Sequence, residues 1–530
     1  MRRFARILAG LLLLLVPIAA VAQAEGPVRL DLTWSVDGPL ANVRIVPARP
    51  VDLRVDAHGR EAVLRFARPI VQPDAEILRR ELPRFVEGVS AGFDTLLVVA
   101  APGTTLVARR DGAGAVFAIQ LGESAAAPAE GSDDAIVTER AERRLERLRA
   151  AVEAQTGQVS IARGRLAALE AKEPADAETL AQLGGLEQQI GRGRRAQSLL
   201  DRAVAADPGN AELVAARAAL ARERAGFARA EPEYRRASSG EKRYQLGLLA
   251  EVPVDSAWRV TAAFDQGQVD SPSVRRPAGL SGPFNGMRQR GALGLAYEGE
   301  GGGRTHAQLF ANARTPGLGL TQDVLFDESR ISTGFELARP YWDFTESLVA
   351  DGTRDRAFVQ YAQPWLLGLS ARARVAANRY GMPGLADAAR SAAVDGELRL
   401  PLDGFVRGAS VAYVFEGEYP WRIAARPDPT SAGAEFRPVP LRYREVHGLL
   451  AGYSLDWRRD FGSDVPLVAD FSAGPAYDRY GGRGGPLLGA SFAWIGDGSF
   501  SGGLSTGYGR GVGRDASEYT LIGGYARWRM

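Results

Sequence analysis

The sequence contains no cysteine, only three histidines and, among its 65 basic residues, only two lysines, Lys172 and Lys242. Without cysteine the chain can form neither disulfides nor thiolate-based sites. His58, His306 and His447 are far apart, and no cluster of His, Asp and Glu has the spacing of a metal site. We therefore expect no metal ion and no other cofactor.

A strong net charge and long apolar runs are also absent. The 65 basic and 63 acidic residues leave a formal net charge of +2, which predicts no nucleic-acid partner. Beyond the first 24 residues, no apolar segment is long enough to span a membrane as a helix. For an integral membrane protein this leaves a closed β-barrel, because lipid leaves no backbone polar group unpaired.

The start of the chain has the organisation of a secretory signal. Three arginines within the first six residues precede an apolar run from Ile7 to Ala22, and Ala22-Gln23-Ala24 is a small-x-small cleavage motif. We expect residues 1–24 to be a signal peptide. The alternative is an uncleaved apolar anchor, and the absence of cysteine excludes a lipoprotein.

The segment 238–530 consists largely of short stretches in which apolar and polar residues alternate, as in strands with one apolar face. An example is the run in which Trp258, Val260, Ala262 and Phe264 alternate with Arg259, Thr261, Ala263 and Asp265. In a water-soluble sandwich the polar face would point outward. In an outer-membrane barrel the apolar face meets lipid and the polar face lines a lumen.

Three features favour the membrane barrel. The segment holds seven of the eight Trp and 14 of the 15 Tyr, many of them near strand ends, as in the aromatic girdles of membrane barrels. Its apolar faces are rich in Ala, Gly and single Leu residues, which suit lipid better than a packed core. The last strand pattern ends on Trp528 and Met530, which is similar to the C-terminal strand of bacterial outer-membrane proteins, although that strand usually ends in Phe.

About 15 strands can be counted, and the even-number rule for such barrels predicts 14–16. Short turns alternate with longer connections, and the longer ones are expected to include Gln266 to Met287 and Thr315 to Glu328. The alternation assigns six polar residues to the lumen: Arg259, Arg372, Arg374, Arg399, Arg444 and Asp456. A lumen rich in arginine would favour anionic solutes through its local potential. The alternative is that arginines and acidic residues pair across strands and only make the barrel rigid.

Catalytic chemistry is not indicated. His447 shares its side of the strand with Leu449, Ala451 and Tyr453, which we assign to the lipid face. No Gly-x-Ser-x-Gly elbow stands out, and the acidic pair Asp327-Glu328 is a loop pair with no positioned partner. We predict that the protein is not an enzyme and has no catalytic residue.

Two further segments precede the barrel. Residues 25–122 contain strand patterns and one helical stretch, Ala75 to Phe85, and predict a small β-rich domain. By pattern this domain resembles the periplasmic wall-associated domains of envelope machines. Residues 123–134, rich in Ala, Pro, Gly and acidic residues, are expected to be a linker.

Residues 135–237 are predicted to be helical, and their repeats resemble the tetratricopeptide pattern. The match rests on Leu183, Gly184, Ala196, Ala203 and Pro208. Similar residues recur 34 positions earlier, at Ala162, Leu166 and Pro174, and 34 positions later, at Ala230 and Tyr234. Two to three repeats are therefore expected. The competing hypothesis is a coiled coil, because Leu145, Leu148, Val152, Val159, Ala162, Leu166 and Leu169 follow a heptad, although Gly157 interrupts it.

The expected fold is thus multidomain: a small β-rich domain, a short α-helical tetratricopeptide-like repeat region and a C-terminal antiparallel transmembrane β-barrel. From residue 134 onward this order resembles the exopolysaccharide-export proteins of cellulose, poly-N-acetylglucosamine and Pel-type systems. This chain has fewer repeats than that family and adds a β domain in front of them.

The resemblance implies a barrel that conducts a polysaccharide across the outer membrane. It also implies periplasmic repeats that bind periplasmic or inner-membrane secretion proteins. The expected partners are outer-membrane lipid, a polysaccharide, such secretion proteins and peptidoglycan. Two alternatives stay open. One is a non-conducting anchor whose periplasmic domains bind envelope partners or peptidoglycan, and the other is a small-solute porin.

Overall fold

The structure is a computed structural model. It describes residues 28–530 apart from 59, 68–69, 72–75, 92–94, 112–113, 122–132, 156–157, 365–368, 497–498 and 513–517. The expected signal peptide, nearly all of the expected linker, Gly157 and Trp365 lie outside the described residues. The chain divides into two compact units, Met1–Gln155 and Thr156–Met530.

The first unit contains two four-stranded antiparallel sheets, with strand orders β1-β2-β8-β7 and β3-β4-β6-β5. Its elements are β1 (Leu30–Asp37), β2 (Leu40–Pro47), β3 (Leu53–His58), β4 (Glu61–Phe66), α1 (Glu76–Glu81), β5 (Val86–Ala91), β6 (Thr95–Ala100), β7 (Thr104–Asp111), β8 (Gly114–Leu121) and α2 (Asp133–Gln155). Ile45, Leu64, Leu96 and Phe117 are fully buried in a core that both sheets share. The sequence pattern missed β5.

Helix α2 packs against the second sheet on the side away from that core. Leu148 contacts Val63, Leu97 and Val99, which form a separate apolar cluster. Arg144 also donates to Glu61 over 2.9 Å. The helix therefore covers a sheet face that would otherwise expose apolar side chains to water.

Four helices open the second unit: α3 (Val159–Lys172), α4 (Ala177–Gln189), α5 (Gly193–Ala206) and α6 (Ala211–Arg224). Of the five residues expected to pack the repeats, Leu183, Gly184, Ala196 and Ala203 are buried. Pro208 is exposed in the turn between α5 and α6, so it follows the end of a helix and is not buried between helices. Helix α2 ends before α3 begins, so the heptad from Leu145 to Leu169 does not follow one continuous helix.

Glu187 occupies a position where the repeat pattern usually has an aromatic residue. Its side chain is 1% exposed and forms ion pairs with Arg192 at 3.6 Å and Arg195 at 3.4 Å. Arg195 also lies 3.8 Å from Glu170. The helices thus contain a buried charge network at the position where an aromatic ring would pack. The Glu187 carboxylate depends on its arginine partners, because an unpaired buried carboxylate would destabilise the fold. That the helix pairs are tetratricopeptide repeats stays a prediction.

Sixteen antiparallel strands close into a barrel, the upper of the two expected even numbers. They are β9 (Phe227–Ala237), β10 (Lys242–Pro253), β11 (Trp258–Arg275), β12 (Ser281–Glu298), β13 (Arg304–Asn312), β14 (Pro316–Phe326), β15 (Ser329–Pro340), β16 (Thr353–Pro364), β17 (Ser370–Met382), β18 (Leu385–Pro401), β19 (Ala409–Ile423), β22 (Arg444–Asp456), β23 (Leu467–Asp478), β24 (Arg483–Trp494), β25 (Phe500–Gly509) and β26 (Tyr519–Arg529). Between strands lie a small pair, β20 (Arg426–Pro427) and β21 (Glu435–Phe436), and two short helices, α7 (Thr345–Val349) and α8 (Trp457–Phe461).

The barrel begins at Phe227, eleven residues before the expected boundary at 238. Ala230 and Tyr234, which had been assigned to a third helical repeat, lie in β9. The reason is compositional: the inward positions of β9 carry Arg229, Glu231, Glu233 and Arg235, so the strand has little apolar character. The 34-residue spacing of Ala230 and Tyr234 was a coincidence.

Other boundaries also moved. The stretch from Thr315 to Glu328 was expected to be a loop, but it contains strand β14. Strands β11 and β12 continue well into the expected loop from Gln266 to Met287 and leave only residues 276–280 as a turn. These strand ends carry polar outward residues, among them Gln266 and Gln268, because the strands extend beyond the apolar part of the barrel.

The outer face of the barrel is apolar. Exposed side chains on it include Leu246, Leu248, Phe264, Leu293, Leu309, Leu320, Phe335, Val359, Val375, Leu449, Phe492, Leu504 and Ile522. Aromatic pairs lie near both ends of the strands: the ring centres of Trp258 and Tyr297 are 4.9 Å apart, and those of Tyr234 and Tyr244 are 4.8 Å apart. A continuous apolar belt of this kind suits lipid and not water. No helix among the described residues is long and apolar enough to cross a membrane.

Two adjacent glycines test the packing of the helices. A Cβ at Gly184 would lie 3.2 Å from Leu200 Cγ, whereas one at Gly185 would meet nothing within 4 Å. We expect Gly184→Leu to separate α4 from α5 and destabilise the helices by about 1–3 kcal/mol. Gly185→Leu is the matched control and should leave them intact. Thermal loss of the 222 nm circular-dichroism signal, measured on the full chain in detergent, checks this. Equal melting of the two variants would contradict the helix packing.

Candidate functional site

The candidate site is the barrel lumen. Large exposed apolar residues such as Val375 and Leu449 mark the outward positions, so the alternate positions face inward. We call the end where β9 starts and β26 finishes the terminal end, and the opposite end the loop end. Each end is partly covered by other segments of the chain.

Helices α3, α5 and α6 are bonded to the rim at the terminal end. Arg224 lies 2.9 Å from a carboxylate oxygen of Glu298, and Arg194 donates to the backbone carbonyl of Glu298, also over 2.9 Å. Arg163 forms an ion pair of 3.2 Å with Asp327, in the turn between β14 and β15. These contacts fix the helices to the part of the rim formed by β12 to β15.

A cavity of about 240 Å³ lies between these helices and the rim. Glu251 pairs there with Arg259 at 3.1 Å and with Arg304 at 2.9 Å. Arg259 also donates to the carbonyl of Arg224 over 2.8 Å. Arg259, one of the residues assigned to the lumen from sequence, therefore also joins the barrel to α6.

Residues 341–352, which we call the lumen loop, fold into the loop end of the barrel. Trp342 is 1% exposed and packs with Val269 and Leu348. The guanidinium of Arg290 lies 4.4 Å from the ring centre of Trp342, and Arg243 donates to its carbonyl over 2.6 Å. The lumen loop is thereby held against the wall formed by β10 to β12.

Trp342 is one of the seven Trp residues of the barrel segment, but it lies in the lumen and not in an aromatic girdle. The ring can enter the lumen because Gly267 lacks a side chain: a Cβ there would lie 3.3 Å from Trp342 Cζ3. A glycine at an inward strand position is only a weak signal that a loop aromatic residue packs over it, since 43 of the 62 glycines lie at position 240 or later. Sequence alone gave no means to choose this glycine.

Residues 424–443, which we call the strap, cross the loop end above the lumen loop. Its second half is anchored by Val439 and Leu441, which are buried with Tyr341 and Tyr380. Its first half reaches the β11–β12 turn, where Arg426 donates to the carbonyl of Pro277 over 3.2 Å. The strap thus runs from β19 and β22 to a turn on a different part of the rim.

An ion pair fastens this first half. Asp428 lies 3.6 Å from Arg275, whose guanidinium also covers the ring of Phe436 at 5.3 Å. The hydroxyl and the backbone N–H of Thr430 donate to Asp428 and hold the pKa of its carboxyl below the usual 3.8. Because this pKa is lowered, the Asp428 carboxyl is ionised throughout the ordinary titration range of an aspartate. The ion pair with Arg275 is lost only when the pH falls below that range.

The six residues assigned to the lumen all lie at inward positions of the closed barrel. Arg374 pairs with Asp395 at 2.7 Å, Arg399 with Glu397 at 2.9 Å, and Arg444 with Glu416. Arg444, 6% exposed, also donates to the carbonyl of Val512 over 2.7 Å. Asp456 accepts from the backbone N–H groups of Arg458 and Arg459 and so caps α8.

Arg372 is exposed within the lumen. Most of the six are therefore tied to neighbours, and Arg372 is available to a solute. The sequence did not single out Arg354 and Arg356, which lie on the adjacent strand β16 at inward positions.

The wall formed by β23 to β26 differs from the rest. Its inward positions are mostly small and are occupied by Ser472, Gly474, Gly489, Ser491, Ser505, Gly507 and Gly523. Ser505 is exposed although it points inward. Side chains therefore leave space beside this wall, as expected for a barrel of this width.

The two barrel histidines have structural partners. His306 Nε2 on β13 lies 3.0 Å from the hydroxyl of Thr261 on β11, and the contact crosses Gly294 of β12. His447 Nδ1 lies 2.7 Å from the hydroxyl of Tyr413 on the outer face, the side assigned to it from sequence. His447 joins the adjacent strands β22 and β19.

Comparison with known proteins supplies fold resemblances only. No protein-family model matches the sequence, and no curated protein matches it. Among solved structures, a "bacterial polysaccharide outer membrane secretin" is 13% identical over 58% of this chain and 98% of its own, with a TM-score of 0.39. OccAB3 of Acinetobacter baumannii (9% identity, 58% and 99% coverage, TM-score 0.33) and OmpF of Salmonella typhi (9%, 57% and 97%, 0.32) are also similar. Resemblances this distant carry no argument about function, which has to follow from the geometry of the chain.

The position of the strap can be checked chemically because the chain has no cysteine of its own. We expect Arg275→Cys and Asp428→Cys, combined in one chain, to be joined by a short bis-maleimide, since their side chains meet at 3.6 Å in the native protein. The joined chain should migrate differently from the unjoined chain after boiling. Each single variant is a control. A double variant that stays unjoined while folded would contradict a strap across the loop end.

Proposed function

We propose that the protein is an outer-membrane channel that exports a saccharide polymer, with its terminal end in the periplasm. The observation that carries the proposal is the unfilled lumen: small inward residues on β23 to β26 leave Ser505 and Arg372, on different walls, exposed inside the barrel. A barrel that served only as an anchor would gain stability by filling this space with larger side chains. A polymer is the proposed cargo because helices ahead of a C-terminal barrel are also the domain order of the exopolysaccharide-export proteins that the sequence resembles.

The helices at the terminal end fit this proposal as an assembly platform. They are bonded to one part of the rim through Arg224, Arg194 and Arg163 and so stay next to the channel entrance. Periplasmic or inner-membrane secretion proteins are the partners we propose for them. We propose peptidoglycan as the partner of the β-rich first unit.

A non-conducting anchor is the second candidate, and one observation favours it. The lumen loop and the strap both cover the loop end, as expected of a barrel closed by its own loops. Under the channel proposal the same segments form a cover that moves aside during transport. A small-solute porin is the third candidate, and it differs from the first in the cargo.

Conductance separates the channel from the anchor. We expect the full chain to open rarely in planar bilayers, and Trp342→Ala to open far more often. The substitution removes the main apolar contact of the lumen loop, a loss of about 3–5 kcal/mol for a buried Trp. Trp421→Ala is the control, because Trp421 is 57% exposed. A mobility difference between unheated and boiled samples shows that each variant is a folded barrel.

Two outcomes would count against the proposal. Silence of the wild type, of Trp342→Ala and of a variant with residues 428–436 replaced by a Gly-Ser linker would favour the anchor. Steady conductance, combined with unchanged surface polysaccharide after deletion of the gene, would favour the small-solute porin.

A further inference from the structure

We infer that the cargo is a polyanion, a saccharide chain bearing carboxylate groups, which is guided mainly by arginines on one wall of the lumen. This inference rests on the proposed channel function. It begins with four arginines, Arg354 and Arg356 on β16 and Arg372 and Arg374 on β17. We call these four residues the arginine track.

The arginine track faces inward along two adjacent strands. Phe358 pairs with Ala376, Gln360 with Arg374 and Ala362 with Arg372. Pro364, Ser370, Asn378 and Tyr380 also face inward, and none of the inward residues of the two strands is acidic. Because β16 runs away from the loop end and β17 returns to it, the track extends from Arg354 near the loop end to Arg372 near the terminal end.

Half of the track has no ionic partner. Arg354 pairs with Glu336 of β15 at 3.5 Å, and Arg374 pairs with Asp395 of β18 at 2.7 Å. Among the described residues, neither Arg356 nor Arg372 has a carboxylate oxygen within 4.0 Å. The Nε of Arg356 is buried without a hydrogen-bond acceptor, and its guanidinium lies 5.3 Å from the ring centre of Phe358.

A second group of arginines lies on the opposite wall. In a ring of sixteen strands, β9 is eight strands from β17, and β26 is eight strands from β16. The guanidinium of Arg235 lies 5.3 Å from the ring centre of Tyr519, and that of Arg527 lies 4.1 Å from the ring centre of Phe227. Glu231 and Glu233 also face inward here, so this wall is mixed and the arginine track is the more strongly basic of the two.

Rigidity alone does not explain this arrangement. A barrel that used charge only for strength would pair each arginine with an acidic residue across the strands. Here Glu336, which lies opposite Arg356, pairs instead with Arg339 and Arg354. Glu397, which lies opposite Arg372, pairs instead with Arg399. The basic residues of this wall thus outnumber the acidic residues that flank it. The ring beneath Arg356 restricts the side chain while its terminal N–H groups stay available. A guanidinium held in this way is suited to carboxylates, which it binds with two parallel hydrogen bonds.

The spacing points to a polymer. Arg354 and Arg356, like Arg372 and Arg374, are two residues apart on one side of a strand, or roughly 6.6 Å. A small anion needs one such site, whereas a chain with repeated charges can pass from one guanidinium to the next. Several acidic inward groups elsewhere are already bound: Glu416 pairs with Arg444, Asp478 with Arg442, and Glu418 accepts from Tyr380.

The test uses the full chain in planar bilayers under a KCl gradient. We expect the wild type to be selective for chloride over potassium and to be blocked by oligogalacturonate. Neutral malto-oligosaccharide and cationic chitosan oligosaccharide of equal length should block much less. Removing two lumen charges, in Arg356→Gln/Arg372→Gln, should abolish the chloride preference and weaken the block by roughly three- to tenfold. Raising the salt should weaken the wild-type block as well.

Arg379→Gln is the matched control. Arg379 lies on β17 but points outward and pairs with Asp355, so its loss should leave selectivity and block unchanged. If the wild type stays silent, the same measurements are made in the Trp342→Ala background. A conducting channel that prefers potassium, or one blocked equally by all three oligosaccharides, overturns this inference alone. The absence of conductance in every variant overturns the proposed channel, and this inference with it.

Discussion

The rest of the structure depends on the closure of the barrel. Strand β9 pairs with β26 from Ala237–Tyr519 to Phe227–Arg529, so the first and last strands complete each other's hydrogen bonds. In lipid an open edge would leave a row of backbone groups unpaired, at several kcal/mol each. Closure therefore explains why β9 is a strand. Its eleven residues have little apolar character, but the backbone groups of β10 and β26 both need a hydrogen-bonding partner strand.

Closure also decides where the charge goes. Once the outer face is committed to lipid, ionised side chains on the strands either face the lumen or lie near the strand ends. A charge on the lipid face near the membrane centre costs about 2–4 kcal/mol. Arginine predominates over lysine here, and its planar fork can satisfy an acidic neighbour and a carbonyl at once, as Arg444 does with Glu416 and Val512. A near-neutral chain can thus hold a lumen wall as basic as that of β16 and β17.

The sequence predicts the parts of this architecture that depend on local periodicity. Alternation identifies most strands and assigns Arg259, Arg372 and Arg374 to inward positions, because a period of two leaves only two choices per strand. The alternation pattern fails where contacts with other segments of the chain determine the structure. The strand β14 was taken for a loop, since its outward Pro316 and inward Gly317 and Gly319 are typical of turns. The place of Trp342 was not predicted either, because no local signal distinguishes an aromatic residue at a strand end from one that folds back over Gly267.

The two covers of the loop end are held by different forces, and this bears on which of them can open. The lumen loop is anchored by the buried ring of Trp342, which binds it firmly to β10–β12. The tip of the strap is held by the partly exposed ion pair of Arg275 and Asp428, a weak kind of contact, and by the contact of Phe436 with the β11–β12 turn. Its root, with Val439 and Leu441, is buried. A strap fastened firmly at one end and weakly at the other opens by releasing its tip. The lumen loop, held by the ring of Trp342, is then the cover that opens less readily, and the small residues of β23 to β26 leave space on the wall away from it.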